Sequence, residues 1–96
     1  MSDVSAFRVV DAFVIRGRGT AIVIDFVDDG RVWNGDLARV PLVSGGVRDV
    51  VIHSVEFADG IDDAGQRFGK VALRVDEIAP DDIARGELLE TRRFGQ

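Results

Sequence analysis

The 96-residue sequence contains no cysteine. That excludes a disulfide frame, a thiolate metal site and a cysteine nucleophile. No apolar run approaches the roughly 20 residues that cross a bilayer as a helix. The first residues, Met1-Ser2-Asp3-Val4, lack the basic and apolar regions of a signal peptide. The expected setting is therefore a bacterial or archaeal cytoplasm, with no membrane partner. Lysine is nearly absent: Lys70 stands against eleven arginines. That bias is read as genome composition rather than as a role for the guanidinium group. There is no internal repeat, linker or low-complexity stretch.

What is present describes one folded domain over residues 1–96. A hydrophobic content of 46% with 30% charged residues argues against disorder. A chain of this length buries roughly two-thirds of its unfolded surface, enough for a single core. The formal charge of −5 disfavours broad nucleic-acid binding, which depends on neutralising phosphates.

The chain is organised around Val10–Thr20. An apolar extended run ends in Gly17-Arg18-Gly19-Thr20, and a second, Ala21 to Val27, follows at once. Two glycines flanking an arginine between such runs predict a tight hairpin. In the first strand, about Phe7 to Ile15, alternation sets Phe7, Val9, Asp11, Phe13 and Ile15 on one face. Arg8, Val10, Ala12, Val14 and Arg16 fall on the other. Residues 1–6 are read as a weakly paired lead-in. Asp28-Asp29-Gly30 predicts a turn, and Arg31-Val32-Trp33 a short strand. Leu37 to Val43 follows, at a barrel edge or with a bulge because Pro41 lacks an N–H. After Ser44-Gly45-Gly46, Val47 to Ala58 is the longest strand candidate. Phe68 to Val75 and Glu87 to Phe94 are further strands. Pro80 to Gly86 predicts one helical turn, with proline at its start, aspartates at its positive end and glycine at its exit. Many short strands with almost no helix predict an all-β fold, a closed antiparallel β-barrel of six to eight strands.

The chemical candidates are few. Gly65-Gln66-Arg67-Phe68-Gly69-Lys70-Val71 has three residues between its glycines where a phosphate loop has four, and no Ser or Thr after the lysine. It opens a strand, so it is read as an ordinary loop, and GTP is not expected to bind. His53 has no partner identifiable by spacing. Asp28-Asp29, Asp62-Asp63 and Asp81-Asp82 lack the spaced oxygens of a calcium loop and are read as turn and capping residues. Trp33 is read as a lid over the core or as a contact residue at an exposed rim. Ala21 to Phe26 is apolar on both faces, which fits a partner-covered face or a strand buried on both sides. No catalytic residue, cofactor or metal is expected, and no enzymatic activity.

Several of these stretches resemble, in one order over about residues 7–90, the second domain of translational GTPases such as elongation factor Tu. They are Asp11-Ala12-Phe13 and Gly17-Arg18-Gly19-Thr20, then Asp29-Gly30-Arg31-Val32-Trp33-Asn34-Gly35-Asp36-Leu37. Ser54-Val55-Glu56-Phe57, Ala64-Gly65, Val71-Ala72-Leu73-Arg74-Val75 and Asp82 to Leu89 follow. The resemblance implies that family's barrel without its GTPase domain. It also implies positions for the family's aminoacyl-tRNA pocket: Asp11 and Phe13 match, and Glu56 corresponds to its glutamate. Val10 stands where the family is acidic, Val23 where it has threonine, Ile24 where it has glycine, and Lys70 where it has asparagine.

The expected function is that of a free-standing, non-catalytic binding module that takes a protein partner or a second copy of itself. Asp11, Phe13, Arg18, Val23, Trp33, Glu56 and Lys70 are its candidate contact residues. The alternative is a translation accessory that binds a tRNA end or a ribosomal component.

Overall fold

The computed structural model describes residues 4–27, 30–61 and 67–94, with the backbone alone over 57–61 and 67–70. The turn residues Asp28-Asp29, the pair Asp62-Asp63 and the start of the glycine loop at Ala64-Gly65 lie outside the described residues.

Seven strands form one antiparallel sheet: β1 (Val4–Ile15), β2 (Gly19–Phe26), β3 (Leu37–Pro41), β4 (Val47–Val51), β5 (Ser54–Ile61), β6 (Arg67–Val75) and β7 (Leu88–Arg92). Their hydrogen-bonded order is β4-β3-β7-β1-β2-β6-β5. The longest strand, β1, is thus the middle one. A 3-10 turn at Pro80–Asp82 follows β6, where one helical turn is expected.

The sheet is curled but it is not a closed barrel. Its two end strands, β4 and β5, are consecutive in the chain and joined only by Ile52-His53. The predicted single strand from Val47 to Ala58 breaks there. Ile52 stays with the β3 side: its N–H donates to the Asp36 carbonyl (2.9 Å) and its own carbonyl accepts from Gly35 N–H (2.8 Å). His53 N–H instead donates to the Arg74 carbonyl on β6 (2.8 Å). One bent run therefore serves both ends of the sheet. The ends meet at this corner, and no β4–β5 pairing is present among the described residues.

Three further expectations are corrected. Residues 4–6 are no lead-in, because Val4, Ser5 and Ala6 pair with Arg92, Thr91 and Glu90. Residues 31–33 are not a strand. Asp36, buried at the turn, takes the Trp33 N–H on Oδ2 (2.9 Å) and donates its own N–H to the Trp33 carbonyl (3.2 Å), which folds the segment back on itself. Pro41 lies on an inner strand, not at the edge. It is the last residue of β3, past the final β3–β7 pair Arg39↔Glu90, where no ladder N–H is needed.

The core lies in the concave side of the curl. Phe7, Val9, Ala12, Ile22, Ile24, Ala38, Val40, Val50, Ile52, Leu73, Val75, Ile78, Ile83 and Leu89 are buried there in one cluster. Phe7 also meets Phe26 edge-on, with ring centroids 5.2 Å apart.

Candidate functional site

The strict alternation expected along β1 fails at one residue. Val9 pairs with Ile24 and Asp11 pairs with Val23, so Val10 is an extra residue, a β-bulge. The inward phase therefore passes from Phe7 and Val9 to Ala12, and Asp11 and Phe13 turn outward. Phe13 is 46% exposed as a result.

Register then fixes what Asp11 and Phe13 meet. Asp11 opposes Val23, Val23 opposes Ala72, and Ala72 opposes Glu56. In the next outward row Phe13, Ala21, Arg74 and Ser54 stand side by side. Between the two rows Ala12, Ile22, Leu73 and Val55 point the other way, into or against the core. Asp11, Phe13, Val23 and Glu56 thus share one outer face, carried by the second half of β1 and by β2, β6 and β5.

The floor of this face is small and apolar. Ala21, Val23 and Ala72 are buried although they point away from the core. Of the two readings of Ala21–Phe26, burial on both sides holds from Ala21 to Ile24, while Phe26 is exposed. The taller neighbours Phe13, Arg74 and Glu56 border the floor.

Asp11 and Glu56 are already paired. Glu56 Oε2 accepts from the Ser54 hydroxyl (2.7 Å) and from Arg18 Nη2 (3.4 Å). Arg74 Nε lies 3.6 Å from the same oxygen and donates to Ser54 Oγ at 3.1 Å. Arg74 Nη1 also donates to the Arg18 carbonyl (3.1 Å), tying the β1–β2 turn to β6. On the opposite side, Asp11 Oδ1 accepts from Arg85 Nε (2.9 Å) and from Ala12 N–H (2.8 Å). The bond from Arg85, then that from Ala12 N–H, hold the Asp11 carboxyl below its ordinary range against the opposing effect of burial. Such a face offers an apolar recess with an aromatic wall and a satisfied polar rim. That arrangement suits contact with another molecule better than proton transfer.

Five of the seven candidate residues come together here: Asp11, Phe13, Val23 and Glu56 on the face, and Arg18 from the adjoining turn. Trp33 does not. It is 47% exposed in the 30–36 connection, so it is no lid residue, and the Arg93 guanidinium lies 5.2 Å from its ring centroid. The backbone of Lys70 pairs with Ala58 across β5 and β6, and its side chain lies outside the described residues. Ser54, Arg74 and Arg85 were not singled out by sequence reasoning. The first two were accessible through strand pairing with Phe13 and Ala21. Arg85 is 74 residues from Asp11 in the chain and carries no local signal.

His53 has a partner that spacing did not reveal: its Nε2 lies 2.9 Å from Asp76 Oδ2, with both side chains well exposed. Among the described residues no group of three or more acidic or histidine side chains gathers around a common point. No helix is long and apolar enough to cross a membrane.

Comparison with protein-family models, curated proteins and solved structures gives no match.

Proposed function

We propose that the chain is a non-catalytic binding module that engages a protein through the β1–β2 hairpin and the adjoining outer face of β6 and β5. The observation that carries this reading is the outward turn of Phe13 beside a buried apolar floor. A β-bulge spends register to expose a large aromatic residue, and exposed aromatics bordered by arginine are the residue types that dominate protein contacts. The partner this chemistry fits is an apolar protein segment that seats against Phe13 and leaves the paired Glu56 and Asp11 at the rim.

The test compares affinity columns carrying the native chain and the Phe13→Asp or Arg18→Glu variant, loaded with extract of the source cell. A protein retained by the native chain and lost on both variants supports the reading. Equal retention on all three columns removes it.

A second reading has its own observation. Asp11, Phe13, Val23 and Glu56 are the positions that the resemblance to translational GTPases aligns with an aminoacyl-tRNA pocket, and they lie on one face. Against it stand Val10 and Val23, apolar where that pocket is polar, and the net charge of −5. Titration with aminoacyl-tRNA at about 50 mM and about 200 mM salt separates the readings. Weak binding that fades with salt fits the arginines acting as point charges. Tight, salt-resistant binding that requires the aminoacyl group would establish the translation role instead.

A further inference from the structure

One end of the outer face holds two guanidinium groups around a single carboxylate. Arg18 Nη2 lies 3.4 Å and Arg74 Nε 3.6 Å from the same Glu56 oxygen. A charge-assisted bond of this kind closes at about 2.7–2.9 Å. What holds Glu56 is the Ser54 hydroxyl, at 2.7 Å. Arg74 is placed by other bonds, from Nε to Ser54 Oγ (3.1 Å) and from Nη1 to the Arg18 carbonyl (3.1 Å). On the opposite side Arg85 and Asp11 form a close pair at 2.9 Å, one charge to one charge. Among the described residues no second carboxylate comes within salt-bridge distance of Arg18 or Arg74. Asp76, two residues on from Arg74, is taken by His53 (2.9 Å), and Asp25 stands opposite Arg8. The end therefore carries two positive charges against one negative.

This excess is accessible, because the Arg18 side chain is 57% and that of Glu56 38% exposed. It also has a fixed distance from the exposed ring. Phe13, Ala21, Arg74 and Ser54 stand in one outward row across β1, β2, β6 and β5. Neighbouring strands lie about 4.8 Å apart, so about 10 to 14 Å separate Phe13 from the guanidinium pair. Between them the row holds only Ala21, which is small and buried. An extended protein segment advances about 3.4 Å per residue, so about three or four residues cover the span.

We propose that the protein segment engaged by this face places an apolar side chain against Phe13 and, about three or four residues away, an Asp or Glu carboxylate between Arg18 and Arg74. This rests on the protein-binding reading of the same face. The incoming carboxylate supplies the second anion that the two guanidiniums lack, and the Ser54–Glu56 bond stays in place. Guanidinium suits the task, since its planar fork of donors matches a carboxylate. The net charge of −5 opposes an acidic partner at a distance, but at physiological salt charges more than about 8 Å apart are largely screened. The local excess therefore decides. A preference set by the charge of the whole chain would run the other way and select basic segments.

Random peptides displayed on phage and selected on the immobilised native chain test this. The enriched sequences are expected to carry an aromatic or large aliphatic residue with Asp or Glu about three or four residues from it. One such peptide, fluorescently labelled, is then titrated by anisotropy. Arg18→Gln is expected to weaken its binding about two- to fivefold, the scale of an exposed ion pair. Glu56→Gln removes the competing carboxylate and is expected to strengthen binding by a similar factor, a direction that a merely structural role would not produce. Arg39→Gln, in the other half of the sheet, is expected to leave it unchanged. No enrichment, enrichment of basic peptides, affinity that ignores Arg18→Gln, or affinity that falls with Glu56→Gln overturns the proposal. If it is overturned while the columns above still lose a protein with Phe13→Asp, the acidic preference fails and the protein-binding reading stands.

Discussion

The outer surface falls into two halves that meet along β1. On one side lie β4, β3, β7 and the first residues of β1; on the other, the rest of β1 with β2, β6 and β5. The first half carries a charge ladder in solvent, with Val4, Val47 and Leu88 exposed beside it. Arg39 Nε donates to Asp49 Oδ1 at 3.1 Å, Arg92 Nη2 lies 3.5 Å from Asp49 Oδ2, and all three side chains are well exposed. The second half buries Ala21, Val23 and Ala72 on a face that should belong to water. Outward residues of a sheet face that meets only water ordinarily stay accessible. The bulge at Val10 marks the boundary, immediately after the last bonds to the β7 side.

The hairpin that projects from the second half offers the sharpest way to break this contrast. Gly19→Ala is expected to be the most damaging single change. Gly19 has φ of 96°, and an added Cβ would stand 2.6 Å from the Val75 carbonyl oxygen and collide with Asp76 Oδ1. Backbone strain alone costs about 1–3 kcal/mol, and the clash adds to it. The nearby Gly17, with φ of 73° and open space around it, pays strain without a clash, so Gly17→Ala is expected to cost clearly less. Denaturant unfolding of the two variants ranks them. Equal losses would mean that the close approach of the hairpin to β6 is not felt.

Each half also buries one threonine. Thr20 on β2 donates its hydroxyl to the Ile78 carbonyl (2.7 Å), whereas Thr91 on β7 has a buried hydroxyl with no hydrogen-bond partner. Thr20→Val leaves that carbonyl unpaired and is expected to destabilise by about 1–3 kcal/mol. Thr91→Val removes an unsatisfied polar atom and is expected to be neutral or stabilising. A reversed order in thermal unfolding would sink the assignment.

The smallest expected effect separates the halves by pH. Asp11, held by Arg85, and Asp49, held by Arg39, both have carboxyls lowered from 3.8. A depressed folded value stabilises above the unfolded value and is lost as pH falls through the folded one. Both pairs are exposed, so each contributes at most about 1 kcal/mol. Asp11→Asn and Asp49→Asn should each lose that contribution at neutral pH, up to about 1 kcal/mol, and converge on the native chain as pH falls below the folded value, which flattens the acid loss. Unfolding curves between pH 2 and pH 7, on the order of one unit apart, read this directly.

Much of this was legible in the sequence, and the failures have physical causes. The hairpin signal at Gly17-Arg18-Gly19, the strand ending at Val75 and the proline-led turn at Pro80 are local, set by φ preferences and alternation, and they are where expected. The bulge at Val10 is not local. It depends on where pairing with the β7 side stops, at Gly86 and Glu87 near the far end of the chain, so alternation along β1 put Ala12 outside and Phe13 with the core residues. The corner at Ile52-His53 is likewise hidden in an unbroken apolar run, because what bends it is the bond from His53 to a distant strand. The face itself was half-visible: Asp11, Phe13, Val23 and Glu56 were named from the resemblance, and Ser54 and Arg74 followed only once the register was known.

The position of β7 between β3 and β1 has a consequence for how the chain assembles. β1–β2, β3–β4 and β5–β6 are hairpins of near neighbours, and each can close while later residues are still being added at the ribosome. The two halves of the sheet have no strand between them until Leu88–Arg92 arrives, and that strand must enter between two partners already formed. Completion is therefore a late event that closes a large loop, at an entropic cost that grows with the logarithm of its length. Until it happens, both β1 and β3 offer an unpaired side to anything nearby, which makes the interval before β7 docks the period of greatest risk for mispairing.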